Sequence, residues 1–122
     1  MKQHILIADG EPVVVHLLSE LLERSNPNYC VSVVHSGEEV LEILYDSEVD
    51  LLVVDQYLPG ISGLELIRWA RTCSPQTRTI LTITCSDDEI ETQARCLDVS
   101  HCICKPSPVE EWQGVVQQVL AV

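Results

Sequence analysis

With 122 residues, 46% of them hydrophobic, the chain is long enough to bury one core and too short for two ordinary domains, and its composition excludes disorder. Seven basic residues against 19 acidic ones leave a formal charge of −12, which opposes nucleic-acid binding by this domain alone because phosphate neutralisation needs clustered Lys and Arg. No apolar stretch approaches the ~20 residues of a membrane span, and Met1-Lys2-Gln3-His4 leads into a short apolar run without the features of a secretory signal, so a soluble cytoplasmic protein is expected.

Short apolar, β-branched runs alternate with longer segments of helical period, about five times. Strand one is expected over His4 to Ala8, followed by Asp9, and then a helix with the stripe Val14, Leu17, Leu18, Leu21 and Leu22. Strand two should run from Cys30 to Val34 and give way to His35 and Ser36, with Val40, Leu41 and Leu44 marking the second helix. Strand three, Leu51 to Asp55, precedes the turn-rich Leu58-Pro59-Gly60 and a third helix with Leu64, Ile67 and Ala70 on one side.

Strand four is placed over Thr79 to Thr84. A short fourth helix from about Asp87 to Cys96 opens with Ser86-Asp87-Asp88-Glu89, where Ser86 can cap and the carboxylates suit the positive end of the helix dipole. Strand five, Cys102 to Cys104, runs into Lys105-Pro106, and a fifth helix begins with Ser107 as cap and Pro108 at the first helical position. Val109, Trp112, Val116 and Val119 share its apolar side, and Trp112 is an intrinsic optical probe. Strands this apolar imply a parallel sheet covered on both faces, in one domain spanning residues 1–122.

Six cysteines (Cys30, Cys73, Cys85, Cys96, Cys102 and Cys104) contain no CxxC pair and lie mostly within predicted elements, so buried free thiols are expected. The competing reading gives Cys102 and Cys104, i and i+2 on one strand face, a redox or metal role, although nothing nearby completes a ligand set.

Ligands of an open parallel sheet collect beyond the carboxyl ends of its strands. Asp9, Asp55, Thr84 and Lys105 stand at four such ends, bringing two carboxylates, a hydroxyl and an ammonium to one rim. That set suits phosphoryl transfer to a carboxylate: Asp55 is the nucleophile, a divalent cation neutralises charge, and Thr84 and Lys105 bind the phosphoryl oxygens.

Ile5-Leu6-Ile7-Ala8-Asp9, the segment Asp55-Gln56-Tyr57-Leu58-Pro59-Gly60-Ile61-Ser62-Gly63-Leu64-Glu65-Leu66, Ile83-Thr84-Cys85 and Lys105-Pro106 together resemble the CheY-like receiver family of two-component response regulators, over nearly the whole chain. The resemblance implies a flavodoxin-like (βα)5 doubly wound α/β fold with a five-stranded sheet in the order 2-1-3-4-5. It makes Asp55 the phosphoacceptor, Thr84 the hydroxyl that follows the phosphoryl group, Lys105 its ion-pair partner and Asp9 an acidic-pocket residue. Mg2+ would be bound by Asp55, the backbone carbonyl of Tyr57, and Asp9 through water. Tyr57 and Ser86 would flank the approach of water and tune dephosphorylation. A histidine kinase or phosphotransfer protein would be the donor, and a downstream protein or effector domain would read the face of helix four, strand five and helix five. A homodimer is a further partner that the resemblance allows. Such a domain is not an enzyme beyond assisting its own phosphotransfer and dephosphorylation.

Two departures stand out. Receivers usually end strand one with two adjacent acids, whereas this chain has Asp9-Gly10-Glu11, leaving one carboxylate fewer and implying weak Mg2+ binding. Glu11 can reach in, but the plainer expectation keeps it on the rim at the helix start. In strand five, the aromatic residue that usually lies three positions before the lysine is Cys102 here, too small to report the state by a large rotamer change. These departures support an alternative, a receiver-like interaction module that binds partners without efficient phosphorylation. A small flavodoxin-like enzyme or cofactor binder is disfavoured because Asp9-Gly10-Glu11-Pro12 is not a Gly-rich phosphate loop.

Overall fold

The computed structural model describes residues 2–84 and 87–121. Five strands, β1 (Gln3–Ala8), β2 (Tyr29–Val34), β3 (Leu51–Asp55), β4 (Arg78–Thr84) and β5 (His101–Lys105), alternate with α1 (Pro12–Ser25), α2 (Gly37–Asp46), α3 (Gly63–Cys73), α4 (Asp88–Cys96) and α5 (Val109–Leu120). All the pairings are parallel, in the order β2-β1-β3-β4-β5. The expected flavodoxin-like order is therefore present.

Period-two alternation along the strands divides the interior into two cores. Ile5, Ile7, Leu51, Val53, Ile80 and Ile103 face α1 and α5, meeting Val15, Leu18, Leu22, Trp112, Val115 and Val116. Leu6, Ala8, Leu52, Val54, Leu81 and Ile83 face the other way, onto Val40 of α2, Leu64, Leu66, Ile67 and Ala70 of α3, and Ala94 of α4. β1, β3 and β4 are central and almost wholly buried, which is why β1 and β3 carry the apolar runs 5–8 and 51–54, while β4 intersperses buried threonines among Ile80, Leu81 and Ile83.

Several expectations need correction. The buried side of α1 is Val15, Leu18 and Leu22; Leu17 is exposed and Val14 and Leu21 are only half-buried. This helix is apolar around much of its circumference, so more than one stripe fits the helical period. Pro108 is the N-cap of α5, and Ser107 does not cap it: its hydroxyl donates to the Cys104 carbonyl at 3.0 Å and the Glu111 carboxylate at 3.1 Å. The expected capping by Ser86 lies outside the described residues; Asp87 caps α4, accepting from the Glu89 and Ile90 amides.

The thiols also differ from expectation. Cys30, Cys73, Cys96 and Cys104 are exposed and Cys102 is half-buried, while Cys85 lies outside the described residues. Cys30 and Cys104 sit on the two edge strands, and Cys73 and Cys96 end α3 and α4, where cover is least.

Candidate functional site

The carboxyl ends of β1, β3, β4 and β5 deliver the site. Asp9, Asp55 and Lys105 continue the strand positions that face α1 and α5, so their side chains converge beyond the last apolar layer. Thr84 is the register partner of Lys105 and lines a cavity with it. Asp9 is 2% exposed and Asp55 7%.

Lys105 Nζ donates to Asp9 Oδ2 at 2.9 Å and to Asp55 Oδ2 at 3.1 Å. The other carboxylate oxygens are also occupied: Asp9 Oδ1 accepts the Glu11 amide at 2.9 Å, and Asp55 Oδ1 accepts the Tyr57 amide at 3.1 Å. Two carboxylates and one ammonium thus form a buried cluster with one excess negative charge. Burial by itself would lower the Lys105 pKa, but hydrogen bonds to both aspartates and their negative charge outweigh it and hold the ammonium above the ordinary lysine value.

The loops beside the cluster are fixed by backbone contacts. After β3 the Gln56 side-chain carbonyl accepts the Leu64 amide at 2.9 Å, and the Gly63 amide donates to the Gln56 backbone carbonyl at 3.1 Å. A Cβ on Gly63 would lie 2.7 Å from the Asp55 carbonyl oxygen, 2.8 Å from Leu81 Cδ1 and 2.9 Å from Gln56 Cα, so only glycine lets α3 start this close to Asp55. Gly60, at φ 84°, supplies the left-handed turn between them. On the β1 side, His35 Nδ1 lies 3.2 Å from the Asp9 carbonyl oxygen.

Glu11 does two things. It occupies the N-cap position of α1, as expected for a rim residue, yet makes no side-chain cap. Its carboxylate turns toward Lys105, with Oε1 4.0 Å from Nζ while the side chain remains 65% exposed. Tyr57 contributes its backbone to the cluster, and as a residue it is 53% exposed. Ser86 lies outside the described residues.

Adjacent buried carboxylates are the hard oxygen donors that a divalent cation takes, so Asp9 and Asp55 suit Mg2+. The full complement is smaller than usual: among the described residues no group of three or more His, Cys, Asp or Glu side chains is placed to hold a metal. At Gly10 a Cβ would meet nothing within 4 Å. The side chains present offer such a cation the two carboxylates of Asp9 and Asp55. Cys102 and Cys104 form no such group either. Cys102 packs toward the α4 side of the sheet, and burial, with smaller contributions from Glu91 and Cys104, pushes its thiol pKa up, away from the reactive thiolate.

Sequence reasoning missed Gln56, His35 and Trp112 as neighbours of the cluster. Gln56 stood inside the segment that carried the resemblance and His35 directly followed strand two, whereas nothing local announced Trp112.

Comparison with known proteins identifies the family and the fold. The response regulator receiver domain profile matches residues 5–117. The chain belongs to that family, the receiver domains of two-component response regulators, a signalling fold and not an enzyme family. Among its relatives is the transcriptional regulatory protein YkoG of Bacillus subtilis (strain 168), 34% identical over 121 residues that span 98% of this chain and 51% of YkoG. The matches cover 51%, 38% and 52% of the length of the first three curated relatives. Among solved structures, the CheY-like receiver domain protein of Methanospirillum hungatei JF-1 superposes with a TM-score of 0.90 at 21% identity, covering 99% of this chain and 95% of the other. The BeF3-activated receiver domain of DrrB, a Thermotoga maritima protein, superposes with a TM-score of 0.87 at 25% identity over 100% of both chains. No helix among the described residues is long and apolar enough to cross a membrane.

Proposed function

We propose that Asp55 accepts a phosphoryl group from a histidine kinase or phosphotransfer protein, and that the phosphorylated form is read by a downstream protein or effector domain. The observation that carries this reading is the Asp9–Lys105–Asp55 cluster, in which a nearly buried carboxylate at the end of β3 has an ammonium 3.1 Å away. An Asp55 oxygen forms a bond to phosphorus as the donor's N–P bond breaks, and the donor imidazole leaves as the neutral base once it holds a proton. Lys105 then pairs with the new phosphoryl oxygens and Thr84 donates its hydroxyl to one of them.

Mg2+ supplies charge neutralisation when bound, and Asp9, Asp55 and the Tyr57 backbone carbonyl are the groups that would hold it. Tyr57 and Ser86 are the positions assigned to tuning the access of water. The face of α4, β5 and α5 is the surface assigned to partners. The domain acts in the cytoplasm, as one unit over the length of this chain.

The alternative, a module acting without phosphorylation, rests on Gly10 and Cys102. The intact cluster of Asp9, Asp55 and Lys105 weighs against it, since burying two carboxylates is costly and a signalling role accounts for keeping both. The test is intact mass after incubation with acetyl phosphate. A gain of one phosphoryl unit that requires Mg2+ is expected, and an unchanged mass at saturating Mg2+ contradicts the reading.

A further inference from the structure

Trp112 lies directly beside the cluster, on the same side of the sheet. Lys105 Nζ is 5.7 Å from the centroid of its ring, within cation–π range, while remaining bonded to Asp9 and Asp55. The residue is 2% exposed, and its indole Nε1 is buried without a hydrogen-bond partner among the described residues. Buried indole N–H groups normally have an acceptor. A second orphan, the Thr82 hydroxyl, is fully buried on the same side of β4, with Asp55 and Ile103 as its register partners.

A cavity of ≈ 260 Å³ adjoins this indole, lined by Thr84, Lys105, Ser107 and Glu11 as well as by Trp112 itself. It therefore offers two hydroxyls and a carboxylate as acceptors, and two of its walls are the residues assigned to the phosphoryl group. Cys102 faces the opposite side, packed against the core under α2, α3 and α4 and lining a cavity with Ala94 and Val99. It is small and has no contact of this kind with the cluster.

We propose that Trp112 is the positioning residue through which the state of Asp55 reaches α5. In the unmodified protein its ring faces the ammonium. When Lys105 and Thr84 turn to a phosphoryl group, the ring loses its cation, the cavity wall is redrawn, and the indole re-seats with its N–H on an acceptor in the cavity. Because Trp112 belongs to α5, that movement carries the helix with it. The aromatic reporter absent at Cys102 is thus supplied from the helix instead of the strand. The inference rests on the phosphoryl-accepting role of Asp55 and adds the route by which that role is transmitted.

The experiment uses a Trp69→Phe protein, since the chain has two tryptophans and Trp69 is exposed, leaving one indole to observe. Fluoroberyllate and Mg2+ are titrated in, with 19F NMR reporting whether the site fills and 15N-resolved spectra following the Trp112 indole N–H and the amides from Gly114 onward in α5. The expected result is a shift of the indole N–H and of those amides that saturates together with the bound 19F signal. In Trp112→Leu the site should still fill while the α5 amides stay in place. A bound 19F signal with an unmoved indole N–H overturns the inference alone, as do equal α5 shifts in Trp112→Leu. No bound 19F signal overturns the phosphoryl reading itself, and this inference with it. The indole measurement stands even where Trp112→Leu does not fold.

Discussion

The two faces of the sheet bury comparable apolar cores, yet they end differently at the carboxyl rim. On the α1 and α5 face the last layer of side chains is Asp9, Asp55 and Lys105, with Trp112 beside them. On the α2, α3 and α4 face, Gly63 brings the start of α3 against the backbone of Asp55, and Cys102 packs quietly with α4 and its following loop. One strand position separates the two environments, because alternate side chains point to opposite faces. Charge gathers on one side and close backbone packing on the other, so substitutions on the two faces should fail for different reasons.

The largest effect is expected at Lys105. Lys105→Met leaves two buried carboxylates without their counter-charge and should cost about 3–5 kcal/mol in urea unfolding. Asp55→Asn removes the excess negative charge but turns its NH2 toward either Lys105 or the Tyr57 amide, and should cost less, about 1–2 kcal/mol. The Lys105 pKa is raised in the folded protein, so its contribution is fully present below the ordinary lysine value and is lost as pH rises through the higher folded value. The gap between wild type and Lys105→Met should therefore be level near neutrality and narrow only above about pH 10. Equal costs for the two variants would mean that the cluster is not electrostatically asymmetric.

On the other face the expected failure is steric. Gly63→Ala sets a methyl group 2.7 Å from a backbone oxygen and should cost about 1–3 kcal/mol by the same measurement. An unchanged midpoint would show that α3 can withdraw from Asp55 freely.

What the sequence made legible follows the same division. β1, β3 and β4 were readable within a residue because strands buried on both faces are rich in apolar and β-branched residues, and the strand-end residues Asp9, Asp55 and Lys105 were readable because a parallel sheet brings such ends together. The thiols of Cys30 and Cys104 were misjudged although the expected order made their strands the edges, because an apolar run does not reveal which of its side chains the flanking helices leave uncovered. Leu17 was misplaced because α1 carries apolar residues on more than one side. Trp112 was recognisable as an apolar position of α5, but its place beside Lys105 depends on how α5 docks, and no local pattern encodes that.

A smaller effect concerns the metal. Gly10 is exposed, its φ lies outside the left-handed range, and a side chain there meets nothing within 4 Å, so Gly10→Asp should fold normally and bind Mg2+ more tightly by calorimetric titration. Equal affinities would mean that Glu11, already turned toward Lys105, supplies the missing ligand. The smallest expected change is at Tyr57, which is 53% exposed and touches Asp55 through its backbone amide. Tyr57→Ala should hasten loss of the phosphoryl group modestly at saturating Mg2+, and matched decay rates would show that the ring does not shield the site.

The central claim is that the carboxylate held by Lys105 at the end of β3 is the phosphoryl acceptor. It is tested most directly by treating wild type and Asp55→Asn with acetyl phosphate and Mg2+, trapping the acyl phosphate with borohydride, and locating the reduced residue by peptide mass. The account predicts one modified residue, Asp55, in the wild type and none in Asp55→Asn, with both proteins folded. Equal modification of the two proteins, or modification of the wild type at another carboxylate, would contradict it.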